Sequence, residues 1–133
     1  MGAKRILIID DEVGLTHLLQ VNLQRAGAYQ VRFVNRGSEA LEAAREFRPD
    51  LVLLDVVMPD MDGGQVAAEL QDDAQLKHTP IVFLTAIVSK GEAKTHRGVI
   101  GGLPFLAKPV SVQDVVRCIE QYAGTHPAGT GGG

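Results

Sequence analysis

Residues 51–54 read Leu-Val-Leu-Leu, four large apolar residues in succession, and Asp55 follows directly. Two further runs have the same character, Ile-Leu-Ile-Ile at 6–9 and Ile-Val-Phe-Leu at 81–84. None of the three alternates between apolar and polar residues, as a strand with one solvated face would. Strands that are apolar on both faces are typical of a parallel sheet covered by helices on both sides. The three runs therefore predict an α/β fold built on a parallel sheet.

Outward from these runs, five segments rich in Ile, Val, Leu and Phe alternate with stretches of helical length. The predicted strands are Lys4–Ile9, Gln30–Val34, Asp50–Leu54, Pro80–Leu84 and Pro104–Ala107. A repeated strand–helix unit predicts a doubly wound, five-stranded parallel sheet with right-handed crossovers and helices on both faces.

The helices are predicted from the spacing of apolar residues and from signals at their ends. The first is expected from Val13 to Ala26, before Gly27, and the second from an N-cap at Ser38 to a stop before Pro49. The others are expected at Gly64–Gln71, at Ser89–Arg97, where the apolar face is poor, and from the capping-box-like pair Ser111 and Asp114 to Tyr122.

Length and composition bound the class of protein. The chain has 133 residues, of which 45% are hydrophobic, enough for one buried core. It contains no run approaching the roughly 20 apolar residues that cross a bilayer and no leader-like start, so we expect a cytoplasmic protein without membrane association. The net charge is −3 and no basic run occurs, which argues against direct nucleic-acid binding.

Two local features complete this outline. Cys118 is the only cysteine and lies in a helical pattern, so we interpret it as a packing residue. Residues 124–133 are rich in glycine and poor in large apolar groups, which predicts a flexible tail or linker after a single domain at residues 1–123.

The residues at the predicted strand ends carry the chemistry. Asp10 and Asp11 follow the first strand, Asp55 the third, Thr85 the fourth and Lys108 the fifth. Each alone is commonly a cap, a turn former or a solvated group. Because ligands of such sheets bind at the carboxyl ends of the strands, all five should meet at one edge. Three carboxylates held together need a cation, and an all-oxygen ligand set with room for phosphate oxygens favours Mg²⁺.

The same constellation resembles the receiver domain of response regulators, the phospho-acceptor of two-component signalling. The resemblance covers Lys4 to about Tyr122 and rests on four motifs in their familiar order: IIDDE at 8–12, LLDVVMPDMDGG at 53–64, FLTA at 83–86 and FLAKP at 105–109. It implies the flavodoxin-like strand order 2-1-3-4-5.

The resemblance also implies roles for single residues. Asp55 would accept a phosphoryl group from the phosphohistidine of a sensor histidine kinase or a histidine phosphotransfer domain. Asp10, Asp11, Asp55 and the backbone carbonyl of Val57 would hold Mg²⁺. Lys108 would bind a phosphoryl oxygen or form an ion pair with Asp55, and both can hold in different states. Such a domain is not an enzyme, because it catalyses only its own phosphorylation and slow dephosphorylation.

Two further residues are implied in switching. Thr85 would donate a hydrogen bond to the phosphoryl group, and Phe105 would then turn inward, unless it is simply a fixed core residue. The change would alter the surface formed by the predicted fourth helix and fifth strand, which would control an output partner and can support a homodimer. Pro109 is expected to follow a cis peptide bond after Lys108.

The sequence departs from the family pattern in two places. Val57 and Ile87 stand where many members carry polar groups that position the attacking water, and we hypothesise that the phosphoryl group is therefore lost slowly. The second departure is the glycine-rich stretch Gly98–Gly102, which leaves the geometry of the predicted fourth helix open.

Other function classes fit less well. A phosphatase with an aspartate nucleophile would need a second Asp two residues later, where Val57 stands. A flavin or nucleotide site would need a glycine- or hydroxyl-rich phosphate loop after the first strand, where Asp10-Asp11-Glu12 would repel phosphate. The remaining alternative is a receiver-like module that binds proteins without being phosphorylated, although such modules commonly lack some of the five site residues.

Overall fold

A six-stranded sheet organises the computed structural model, which describes residues 3–27, 29–86, 99–100 and 102–123. The strands are β1 Lys4–Ile9, β2 Tyr29–Val34, β3 Leu51–Asp55, β4 Ile81–Thr85, β5 Val99–Ile100 and β6 Leu103–Ala107. Their spatial order is β2-β1-β3-β4-β6-β5, and all pairs are parallel except β5 with β6. The five predicted strands are β1, β2, β3, β4 and β6, so the predicted parallel order 2-1-3-4-5 is confirmed.

The sixth strand, β5, was not predicted. It has two residues, lies antiparallel to β6 and is followed in the sequence by Gly101-Gly102. Gly102 has a φ of 85°, a left-handed backbone conformation that glycine adopts without steric cost. A Gly-Gly pair between two strands is a known signal for a tight hairpin. This turn thus lies at the end of Gly98–Gly102, the glycine-rich stretch that departs from the family pattern.

Four α-helices are present in the described part of the chain: α1 Val13–Ala26, α2 Ala40–Phe47, α3 Gly63–Asp72 and α4 Val112–Tyr122. The bounds of α1 agree with the prediction, and α3 is one residue longer at each end. The predicted helix at Ser89–Arg97, together with Ile87 and the predicted tail at 124–133, lies outside the described residues. The label α4 therefore belongs to the last predicted helix.

The start of the second helix differs from the prediction. A short 3₁₀ turn, Gly37–Glu39, precedes α2, and Ser38 lies inside this turn instead of capping the helix. The carboxylate of Asp60 takes over the capping function, because its oxygens accept the backbone N–H groups of Gly37 at 3.1 Å and Ser38 at 3.0 Å. At the other end, Arg48 adopts a left-handed conformation before Pro49, so the predicted stop is confirmed.

The helix α4 begins as its sequence predicts. The Ser111 side chain accepts the Asp114 N–H at 3.0 Å, and the Asp114 carboxylate accepts the Ser111 N–H at 3.3 Å, which completes a capping box. Cys118 is buried on the inner face of α4, and burial raises the pKa of its thiol to about 11, in keeping with a packing role. None of the described helices is long and apolar enough to cross a membrane.

The sheet separates two apolar cores. Successive residues of a strand point to opposite faces, so Val52 and Leu54 of β3 pack in one core, whereas Leu51 and Leu53 pack in the other. The first core is closed by α2 and α3 and the second by α1 and α4. All five residues of β3 are buried, as the apolar run at 51–54 predicts. This burial on both faces leaves the ends of the strands as the places where polar groups can gather.

Candidate functional site

The carboxyl ends of four neighbouring strands form an acidic cleft of about 170 Å³. Asp10 and Asp11 follow β1, Asp55 and Thr85 are the last residues of β3 and β4, and Lys108 follows β6. A backbone hydrogen bond connects the last two of these strand ends: the Lys108 N–H donates to the Thr85 carbonyl at 2.8 Å. The cleft is lined by Asp11, Glu12, Asp55, Val57, Thr85, Ala86 and Lys108. The structure thus brings together the five residues singled out at the strand ends.

Three carboxylates of the cleft lie close enough to share a cation. One oxygen each of Asp10, Asp11 and Asp55 falls within 4.8 Å of the others. Asp10 is fully buried, and its Oδ1 accepts the Glu12 N–H at 2.9 Å. Its buried Oδ2 lies 2.8 Å from Nζ of Lys108 in an ion pair but accepts no hydrogen bond of good geometry from any described residue. A buried carboxylate oxygen without such a partner is costly and is open to a metal ligand bond.

Lys108 is the cation among the described residues that line the cleft. Its Nζ lies 2.8 Å from Oδ2 of Asp10, 2.8 Å from Oε1 of Glu12 and 3.7 Å from Oδ1 of Asp55. Burial lowers the pKa of the ammonium group, but the close carboxylates of Asp10 and Glu12 outweigh burial and raise it overall. Lys108 therefore stays charged and is held nearer to Asp10 and Glu12 than to Asp55.

Asp55 is buried, with 5% of its surface exposed, and its surroundings disfavour the ionised form of the carboxyl. Its pKa is raised from 3.8 to about 7, first by burial, then by the charge of Asp10 and the hydrogen bond with Asp11. Lys108 and the Val57 N–H, 3.4 Å from Oδ1, lower it only in part. One ammonium group does not balance the surrounding carboxylates. The site is thus a pocket of excess negative charge that a divalent cation would neutralise.

The loop after β3 is held in place by its own backbone and by Asp60. The Gly63 N–H donates to the Val56 carbonyl at 2.8 Å, and a Cβ at Gly63 would lie 2.7 Å from Cα of Val56. Only glycine fits so close to the backbone of the strand end. Asp60 fixes the far side of the loop through its bonds to the 3₁₀ turn.

Thr85 and Val57 both line the cleft with Asp55. Thr85 is buried at the end of β4, whereas the Val57 side chain is 54% exposed at the rim. Phe105 is half-buried on β6, directly across from Phe83 of β4, and packs against the core under α2 and α3. The peptide bond between Lys108 and Pro109 is cis.

Two contributing residues were missed by reasoning from the sequence. Glu12 is an ion-pair partner of Lys108, and Asp60 anchors the loop that carries Val57. Both stand within motifs quoted above, so their position was visible, but the partners lie 96 and 22 to 23 residues away in the chain. Neither contact leaves a local signal in the sequence.

Comparison with known proteins agrees with the fold and the cleft. The family of the response regulator receiver domain matches residues 6–120. The polar-differentiation response regulator DivK of Brucella anthropi is 36% identical over 122 residues, which cover 91% of this chain and 97% of DivK. The structure of chemotaxis protein CheY4 of Vibrio cholerae superposes with a TM-score of 0.78 at 29% identity, covering 91% of this chain and 99% of CheY4.

A second solved structure bears on the cation. The receiver domain of sensor histidine kinase PA1611 from Pseudomonas aeruginosa superposes with a TM-score of 0.77 at 25% identity, covering 92% of this chain and 99% of that one. That protein has a magnesium ion coordinated in its active site cleft. Receiver domains are regulatory phospho-acceptors of two-component signalling, and they interact with histidine kinases or phosphotransfer proteins and with output effectors. The match over residues 6–120 and the identity with DivK, together with the strand order and the acidic cleft, show that this chain belongs to the family of response regulator receiver domains.

Proposed function

We propose that this chain accepts a phosphoryl group on Asp55 from a phosphohistidine in the cytoplasm and relays the signal to an output partner. The observation that carries the proposal is the position of Asp55, buried beside two further carboxylates and one lysine at the carboxyl end of the sheet. A carboxylate with a raised pKa in an open cleft is typical of a reactive group. The chain would act as a regulatory phospho-acceptor and not as an enzyme on other substrates.

The chemistry follows from the groups in the cleft. An ionised oxygen of Asp55 attacks phosphorus, the bond between phosphorus and the donor nitrogen breaks, and the departing imidazole takes up a proton. The product is an acyl phosphate, which water later cleaves. Lys108 can reach a phosphoryl oxygen, because its Nζ already lies 3.7 Å from Asp55 Oδ1. Thr85, at the end of the neighbouring strand, would donate its hydroxyl to another phosphoryl oxygen.

The donor set fits Mg²⁺. Asp10, Asp11 and Asp55 offer carboxylate oxygens within 4.8 Å of one another, and among the described residues the buried Oδ2 of Asp10 has the ion pair with Lys108 but no hydrogen bond of good geometry. We propose that these three residues and the backbone carbonyl of Val57 hold the ion. When bound, Mg²⁺ neutralises phosphoryl oxygens and lets an anionic donor approach an anionic aspartate. It would also favour the ionised, nucleophilic form of Asp55.

The surroundings of the cleft suit a protein donor. Val13, Leu18 and Val57 are large apolar residues with more than half of their surface exposed. Val57 lies at the rim and Val13 opens α1, the helix that follows Asp10 and Asp11. Exposed apolar residues beside a functional cleft are typical of an interaction surface. We propose that the histidine kinase or phosphotransfer domain docks here with its phosphohistidine directed at Asp55.

The output would be controlled at β6, the strand that pairs with β4. Thr85 and Phe105 lie on paired strands, with Phe105 two positions before Ala107, the partner of Thr85 in the register. Movement of Thr85 towards a phosphoryl group would let Phe105 change its packing against the core under α2 and α3 and so reshape the surface beside β6, where an output partner or a second copy of the chain would bind. We assign these roles to a unit comprising residues 1–123, followed by a linker at 124–133.

Intact mass spectrometry after incubation with acetyl phosphate tests the proposal. The native chain and Asp55→Asn would be compared with magnesium and with EDTA. One added phosphoryl group that needs both magnesium and Asp55 would support the phosphorelay function. If the native chain gains no mass, the alternative of a protein-binding module without phosphorylation becomes the better description.

A further inference from the structure

The contact between Glu12 and Lys108 is not required by the fold. Glu12 directly precedes α1, but its side chain makes no capping hydrogen bond. Its backbone makes the hydrogen bonds at the start of α1: the N–H donates to Asp10, and the carbonyl accepts the Thr16 N–H at 3.1 Å. The carboxylate is therefore available, and it lies 2.8 Å from Nζ of Lys108 across 96 residues of sequence.

The position of Lys108 depends on how its three N–H groups are shared. Nζ of Lys108 lies 2.8 Å from both carboxylates, but the contact with Glu12 is a charge-assisted hydrogen bond, whereas the contact with Asp10 Oδ2 is an ion pair without good hydrogen-bond geometry; Asp55 lies at 3.7 Å. Asp10 is buried and belongs to the carboxylate cluster, but the Glu12 side chain is 57% exposed. The contact with Glu12 is thus the more screened by solvent and the easier to exchange.

We propose that Glu12 is a positioning residue that holds Lys108 in a resting position and competes with the phosphoryl group for its ammonium. The proposal rests on the proposed function of Asp55. In the resting chain Glu12 draws Nζ towards the rim of the cleft; in the phosphorylated chain Lys108 exchanges Glu12 for a phosphoryl oxygen. Glu12 thereby sets how readily the site accepts a phosphoryl group, without being a ligand or a nucleophile itself.

Two substitutions at Glu12 distinguish the release of Lys108 from electrostatic repulsion of the incoming phosphoryl donor. Glu12 lines the cleft, so its charge also opposes an incoming anion. Glu12→Gln removes both the charge and the ion pair. Glu12→Asp keeps the charge but shortens the side chain by one methylene, which pulls the carboxylate away from Lys108. Release of Lys108 therefore predicts faster phosphorylation in both variants, whereas repulsion alone predicts it only in Glu12→Gln.

The experiment measures the initial rate of phosphorylation by acetyl phosphate in saturating magnesium, by intact mass. Glu120→Gln serves as the control, because Glu120 is exposed on α4, does not line the cleft, and its change alters the net charge by the same amount as Glu12→Gln. An exposed ion pair that must be broken predicts an increase of about two- to fivefold for both Glu12 variants and none for the control.

A second measurement does not depend on phosphorylation. The ¹⁵N signal of the Lys108 ammonium in the metal-free protein, assigned by its loss in Lys108→Gln, should shift in both Glu12 variants and not in Glu120→Gln. Both variants should unfold at temperatures close to the native chain, since neither loses a capping bond.

Different results overturn different statements. A native chain that gains no phosphoryl group overturns the proposed function, and this inference with it. A native chain that is phosphorylated as fast as both Glu12 variants, or faster than either, overturns the role of Glu12 alone. A rate increase in Glu12→Gln without one in Glu12→Asp also overturns it, in favour of repulsion.

Discussion

Replacing Asp55 with asparagine should stabilise the metal-free protein, by an amount that grows with pH. Asp55 is almost fully buried and its pKa is raised from 3.8 to about 7. In the unfolded chain the same carboxyl ionises near its ordinary value. Between about pH 4 and pH 7 the native state therefore binds more protons than the unfolded state, and stability falls as the pH rises through this window.

The magnitude follows from the two pKa values. The difference between 3.8 and about 7 corresponds to about 4 kcal/mol of destabilisation, fully developed above about pH 8. Asparagine has nearly the same shape and carries no charge, so Asp55→Asn should recover most of this free energy at pH 8. At pH 4 the native carboxyl is already protonated in the folded state, and the two chains should be almost equally stable.

Urea unfolding in EDTA at several pH values measures this difference, with Glu120→Gln as a control for the loss of one exposed carboxylate. Magnesium should narrow the gap at pH 8, because an ion that binds only the folded chain stabilises it. A gap between native and Asp55→Asn that is the same at pH 4.5 and pH 8, or that closes as the pH rises, would refute the electrostatic account of the cleft.

Three further outcomes are expected. Gly63→Ala should lower the free energy of unfolding in urea by about 3 kcal/mol, because the added Cβ would meet the backbone at the end of β3. Gly14→Ala, in open space on α1, should instead raise it by about 0.5 to 1 kcal/mol. Equal effects of the two substitutions would contradict the packing described. Val57→Asn combined with Ile87→Glu should shorten the lifetime of the phosphoryl group after donor removal, and an unchanged lifetime would count against shielding by apolar side chains. Magnesium at 100 times its dissociation constant should raise the unfolding free energy by about 2.7 kcal/mol; Asp10→Asn should lose most of this gain, and a variant that keeps it would remove Asp10 from the metal site.

Local signals in the sequence were sufficient for most of the fold. The run at 51–54 is apolar on both faces and became a fully buried central strand. The end of α1 at Gly27 and the capping box at Ser111 are set by neighbouring residues, so the sequence alone predicts them. The convergence of Asp10, Asp55 and Lys108 followed from the geometry of parallel strands.

Features that depend on distant contacts were not predicted. Ser38 looked like an N-cap, but Asp60, 22 residues further on, supplies the acceptor for that backbone. The strand β5 has only two residues and is defined by its pairing with β6, which leaves almost no pattern of its own. The sequence shows an acidic residue at Glu12, next to the two aspartates. Its hydrogen bond with Lys108, 96 residues away, depends on the folded geometry and could not be predicted.

The division of the interior into two cores by the sheet has a consequence for how this chain can diverge. Val52 and Leu54 contact one set of side chains and Leu51 and Leu53 another, so changes on the two faces share few partners. Substitutions without shared partners usually add in their effects on stability. Epistasis should therefore be strong within a face and weak between faces. Helices on one side can be remodelled for a new partner while those on the other side, and the chemistry at the strand ends, are retained.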